Sequence, residues 1–209
     1  LKTALEIGTD TASSVLGIKD GYYKNSLLKI PLPPEAEIIT DNIGLIPGGD
    51  VLVEDVIEGI NRAAEDAANE AAPIFKSAID DMTIVDAWDI LNGTNPAVAY
   101  KSAEAFDSTA ATGYFRVKTY NALSDLYSPK IETALSKDLL GINYSPYDAW
   151  NDLTGAYNVV ANSIAGQLAG LTPVNTDIAV FCTEKALDGL FYKVGQEEKK
   201  IRRNPFKWA

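Results

Sequence analysis

Two stretches of this sequence gather residue types that bind ligands or catalyse reactions. The first is STAATGYFRVKT, Ser108 to Thr119, which packs four serines and threonines, a tyrosine, an arginine and a lysine into one short run. On a helix Tyr114 and Lys118 lie one turn apart, as do Phe115 and Thr119, so Phe115 can enter a core while Tyr114 and Lys118 share another face. Ser108 or Thr109 is placed to cap that helix, its hydroxyl accepting from the first free backbone amides. Gly113 inside the first turns weakens a helix by about 1 kcal/mol relative to alanine. Its presence needs a reason: close approach by another backbone, or room for a ligand. The second stretch, NRAAEDAANEAAPIF, Asn61 to Phe75, sets Arg62, Asp66 and Asn69 on one helical face with Asn61 and Glu65 beside them. Carboxylates next to an arginine could hold a polar ligand or a metal. The plainer reading turns the alanines to the core and leaves the charged residues in exposed pairs worth about 0.3–0.5 kcal/mol each.

What is missing narrows the chemistry. The chain has no histidine, which removes the commonest general base near neutral pH and the commonest transition-metal ligand. Histidine-dependent triads and zincin sites are excluded. The one cysteine, Cys182, has no partner for an internal disulfide or a CxxC knuckle and reads as an apolar filler on a helix. Asp80, Asp81, Asp86 and Asp89 are clustered, yet DDMTIVDAWD lacks the alternating ligands and glycine turn of an oxygen-only calcium loop. IPGGD has no following lysine and no GxGxxG spacing, so a phosphate-cradling loop drops out. No metal and no cofactor is expected.

The elements that must position these residues are helical. Leu1 to Leu16 carries apolar residues near one face and stops at Gly17, and Asp50 is a good N-cap for a long helix with Val53, Val56, Ile57, Ile60, Ala64, Ala67, Ala68 and Ala71 in its stripe. Pro73 should kink or restart that helix, Thr83 caps IVDAWDIL, and Asn92-Gly93 ends it. A helix from about Thr109 runs on past Pro129. Ser145-Pro146 opens another, with Trp150, Leu153, Tyr157, Val160 and Ile164, and Asp177 opens the last. Between Asp20 and Pro34 the rhythm breaks: a turn at Asp20-Gly21 and prolines 31, 33 and 34 imply an irregular segment with room for a short strand or hairpin at Leu27 to Ile30. Pro34 then starts a brief helix to about Asn42. The expectation is an all-α, irregular multi-helix bundle forming a single domain over residues 1–209.

The chain has 209 residues, with 18 basic against 29 acidic side chains and a net charge of -11. That balance repels phosphate backbones and anionic lipid at long range, so nucleic acid is a poor partner. No apolar run is long enough for a membrane span. The sequence opens at Leu1 without a methionine, and an upstream segment is expected, in which any secretion signal or lipid anchor would lie.

Four blocks, IGTDTASSVLGIKDGYYKNSLLKIPLP, NRAAEDAANEAAPIFKSAIDDMTIVDAWDILNG, STAATGYFRVKT and EKALDGLFYKVGQEEKKIRRNP, together resemble the bacterial family catalogued as domain of unknown function 4197. The blocks stand in the family's order and span nearly the whole chain. The resemblance implies an exported, lipoprotein-like protein of the periplasm or cell envelope, with no established activity, and a short basic and apolar tail beyond Asn204-Pro205. It also marks two departures. Family members run from the ILNG turn almost directly into the TAAT block, so Thr94 to Asp107 resembles an insertion, and they tend to carry an aspartate where Gly113 stands.

Function is open among three classes at this point. The leading expectation is a non-enzymatic protein binding a small or peptide-like ligand, or a protein partner, through Arg62, Glu65, Thr109, Thr112, Tyr114, Arg116 and Lys118. A carboxylate-dependent hydrolase would use Glu65 or Asp86 as base, with a pKa raised by burial, and Arg62 or Lys118 to hold charge. A structural or assembly protein would instead show an exposed apolar patch.

Overall fold

The structure is a computed structural model that describes residues 1–37, 49–97, 106–137, 143 and 145–205. Among them the regular elements are helices and no strand occurs. In chain order they are α1 (Lys2–Gly17), α2 (Gly49–Asn69), α3 (Ala72–Asp80), α4 (Ile84–Leu91), α5 (Ala110–Leu135), α6 (Pro146–Ala161), α7 (Ile164–Leu168) and α8 (Ile178–Arg203), with one 3-10 turn at Pro34–Ala36.

The long helices α1, α2, α5 and α8 form the body, with α3 against α1 and α5. Their apolar stripes explain the arrangement. Ile60, Ala64, Ala67 and Ala68 of α2 and Ala71 just after it are buried, and the small alanines let neighbouring backbones come close. Gly8 of α1 does the same for α8, since a Cβ there would press on Ile201 Cδ1 at 3.0 Å. Phe75 sits at the centre, edge-on to Phe115 at 5.8 Å and to Phe191 at 6.1 Å between ring centroids. Pro73 falls in the first turn of α3, where its missing amide costs nothing, and the chain changes direction at Glu70–Ala71 instead of kinking a continuous helix. Pro129 is tolerated inside α5. Cys182 is fully buried, and burial pushes its thiol up to about 12, as befits a core filler.

Three expectations need correction. Leu27 to Ile30 is not a strand: the backbone turns there, and the Asn61 amide accepts from the Ile30 N–H at 2.8 Å and donates to the Ile30 carbonyl at 2.9 Å, doing with one side chain what a neighbouring strand would do. The helix expected from Pro34 opens as a 3-10 turn over Pro34–Ala36 with Glu37 helical, and residues 38–42 lie outside the described residues. Thr83 and Ser145 do cap α4 and α6 with reciprocal boxes through Asp86 and Asp148. The helix after Ser145, however, ends at Ala161. Ser163 caps a separate short helix that begins at Ile164, and Val160 and Ile164 are exposed. Asp50 stands one residue inside α2, which opens at Gly49.

Candidate functional site

The α2 face is occupied by the chain's own backbone. The turn after α1 leaves backbone groups between Gly17 and Ile30 without a regular partner, and three α2 side chains supply one. Asn69 Nδ2 donates to the Gly17 carbonyl at 2.7 Å. Glu65 Oε1 accepts from the Tyr22 and Tyr23 amides at 3.1 and 3.0 Å, and Asn61 holds Ile30 as described. Arg62 ties the set together, donating to Glu65 at 2.7 Å, to Asp20 at 2.7 Å and to Glu58. Burial alone would lower the Arg62 pKa, but its bonds to Glu65, Asp20 and Glu58 outweigh that and raise it. The plainer sequence reading, of exposed pairs, holds for Asp66, which meets Lys130. It fails for Asn61 and Glu65, which are buried.

The TAAT block is also engaged at its start. Thr109 does not cap α5; its amide and hydroxyl both donate to Asp107 Oδ1 at 2.7 Å. The cap comes from α8, where Glu198 accepts from the Ala111 and Thr112 amides at 3.0 and 2.8 Å and from the Thr112 hydroxyl at 2.7 Å. A negative charge at a helix N-terminus is favourable. Arg202 holds Glu198 from behind and donates to the Ile90 carbonyl at the end of α4 at 2.8 Å. Glu198 was not anticipated. The signal was available, since it falls four residues after Val194 and three before Ile201, within the buried stripe. Gly113 has its reason too, in a side chain: a Cβ there would meet Asn95 Nδ2 at 2.6 Å. Residues 98–105 of the expected insertion lie outside the described residues. Arg116 pairs with Asp188 at 2.5 Å across an open groove shared by α5 and α8.

Tyr114 and Lys118 differ from all of these. They line a cleft of about 550 Å³ between α3, α4 and α5, with Ser77 and Asp81 of the α3 end, Thr83 and Asp86 of the α4 start, and an apolar lining that includes Ile74, Ala78 and Ala122. Tyr114 is only 2% exposed, its ring edge-on to Phe115. Among the described residues its hydroxyl has no hydrogen-bond partner, and Lys118 and Asp81 make no ion pair. Lys118 reaches back over the Tyr114 ring at 5.8 Å. Burial, then the charges of Asp86 and Asp81, raise the Tyr114 pKa, which keeps the phenol protonated as a donor. Asp86 stays ionised, its pKa lowered by the amide and hydroxyl of Thr83. At Thr83 the cleft meets a second, smaller hollow of about 210 Å³ lined by Met82, Ile84, Ala87, Trp88 and Leu91.

The sequence candidates therefore separate. Tyr114 and Lys118 come together; Arg62 and Glu65 share no hydrogen-bond or ion-pair partner with them among the described residues. No cluster of three metal-ligating side chains occurs among the described residues, and none of their helices is long and apolar enough to cross a membrane.

An all-helical bundle with a partly polar cleft between three helices defines a class, not a task. The chain belongs to the family described as Protein of unknown function (DUF4197), whose profile matches residues 1–209. Comparison with curated proteins and with solved structures finds no match.

Proposed function

We propose that this is a non-enzymatic protein of the periplasm or cell envelope that binds a short peptide-like ligand in the cleft between α3, α4 and α5. The observation that carries the proposal is the Tyr114 hydroxyl, which belongs to a residue lining the cleft and has no hydrogen-bond partner among the described residues. The cleft volume of about 550 Å³ suits a ligand of a few residues, since small-molecule pockets run to roughly 300–1,000 Å³. Lys118 offers a cation, Asp81 a carboxylate and Ser77 a hydroxyl, while the Thr83 hydroxyl and one Asp86 oxygen are engaged with each other in the α4 cap. Such mixed donors and acceptors suit a backbone of amides or its charged ends. A ligand crossing Thr83 would lay an apolar side chain on Trp88. The envelope location rests on the resemblance of the sequence blocks alone.

Two features favour binding over carboxylate hydrolysis. Glu65, the first candidate base, is engaged by two backbone amides and Arg62. Asp86, the second, has a lowered pKa, the reverse of what a general base or acid near neutrality needs.

Native mass spectrometry of the protein from its own cells, beside a Tyr114→Phe/Lys118→Ala variant, tests the proposal. An added mass on the native chain that the variant lacks, with both unfolding alike, is the expected result. Equal adducts on both, or no adduct and no binding from a mixed tetrapeptide pool, would reject it.

A further inference from the structure

The cleft between α3, α4 and α5 is lined by charges of both signs that its own chain leaves apart. From α5 come Lys118 and, one turn before it, Tyr114; Asp81 comes from the end of α3 and Asp86 from the start of α4. Elsewhere cations beside acids pair. Arg62 takes Asp20, Glu58 and Glu65, and Lys130 takes Asp66 and Glu70. Lys118 and Asp81 line one cleft, yet among the described residues neither makes an ion pair. Asp86 is half committed, since its Oδ2 accepts from the amide and the hydroxyl of Thr83.

Each of these charges alone is ordinary for a protein surface. Their combination is selective. Lys118 has only donors, and the Tyr114 phenol, held protonated by burial and then by the charges of Asp86 and Asp81, is a donor too. The Lys118 ammonium lies 5.8 Å from the centre of the Tyr114 ring, so one ligand group with two oxygens can accept from both. A carboxylate has that shape and a single negative charge. A phosphate has the oxygens as well, but its second charge is repelled by the two carboxylates of the same cleft. A lone anion meets two carboxylates against one ammonium, and a lone amine meets Lys118. Only a molecule with one charge of each sign satisfies both sets.

We propose, resting on the peptide reading above, that the cleft selects short peptides with both ends free. The terminal carboxylate accepts from Lys118 and Tyr114, and the terminal ammonium donates to Asp81. A volume of about 550 Å³ admits a few residues, and Ile74, Ala78 and Ala122 suit aliphatic side chains on them. An internal stretch of a longer chain has no end to offer and is disfavoured.

Four mixed tetrapeptide pools provide the test: ends free, N-acetylated, C-amidated and blocked at both ends, each titrated against the full chain and read by native mass spectrometry. Blocking either end should weaken binding at least about tenfold, because a charge-assisted hydrogen bond is lost. Lys118→Ala should cancel the effect of amidation alone, and Asp81→Asn that of acetylation alone. A side chain that only shapes the cleft would weaken all four pools alike, which would overturn the assignment of that end. Free and blocked pools that bind equally, with all binding lost in Tyr114→Phe/Lys118→Ala, overturn the selection of ends and leave peptide binding in the cleft standing. Inorganic phosphate that displaces the free-ended pool at equal concentration also overturns it. No binding from any pool overturns both readings.

Discussion

Arg62 and Lys118 stand on helices that pack against each other, each within one turn of residues that could serve a ligand. The α2 group is spent on its own chain; the α5 group is not. What differs is the neighbour. The α2 face looks onto irregular backbone from Gly17 to Ile30, whose amides and carbonyls must find partners once buried, and Asn61, Glu65 and Asn69 provide them. The Tyr114 face looks onto α3 and α4, helices that satisfy most of their own backbone. Thr83 and Asp86 complete the start of α4 between themselves. Polar side chains opposite such helices have nothing on the chain to bond, so similar residue types make a clamp in one place and an open site in the other.

That contrast breaks first at Glu65. Glu65→Ala strands a buried and a part-buried amide and one arm of Arg62, and should cost about 3 kcal/mol in urea unfolding. Lys118→Ala, which removes no hydrogen bond or ion pair, should cost less than about 0.5 kcal/mol. Equal losses would erase the distinction between the two regions. Asn61→Ala comes next: three hydrogen bonds to Ile30 and Ile57 disappear, for about 2 kcal/mol, and the Ile30 amide should exchange its hydrogen faster. A third pair uses one substitution twice. Tyr22 donates to the Ala186 carbonyl at 2.8 Å, its ring lying on Gly189, so Tyr22→Phe should cost about 1 kcal/mol. Tyr114→Phe removes a hydroxyl without a partner and should leave stability within about 0.5 kcal/mol. If Tyr114→Phe proves the costlier, its hydroxyl is structural and the cleft loses its main support.

Much of the fold was legible because helices announce themselves locally. Thr83, Ser145 and Asp177 were readable as caps from residue type and position alone. So was the partition of Phe115 to the core and of Tyr114 with Lys118 to a shared face, which needs only helical periodicity. The failures lie where distant segments meet. Leu27 to Ile30 carries strand-like residues, but Asn61 replaces the partner strand across 31 residues of sequence. Thr109 has the right type for a cap, but Glu198 takes the amides from 86 and 87 residues away. Arg62 and Glu65 looked like a site because their spacing is that of one, and only the path of the chain after α1 shows what they bind.

The smallest effect concerns acid, and it sharpens the comparison by bringing both regions onto one axis. In the clamp, hydrogen bonds from Arg62 and Lys24 lower the Asp20 pKa; beside the cleft, Thr83 lowers that of Asp86. For a carboxyl whose folded pKa lies below its unfolded value of about 3.9, the stabilisation is complete above the unfolded pKa and disappears as pH falls through the folded one. Both regions should therefore hold steady from about pH 5 to 8, a range in which this histidine-free chain has no group of ordinary pKa other than a chain terminus to titrate, and weaken together below about pH 4. Asp20→Asn should make urea midpoints less sensitive to acid, and Asp86→Asn should do the same through the α4 cap. A step in stability between pH 5 and 8 would require a carboxyl raised by burial, the one arrangement that would return the hydrolase reading to contention.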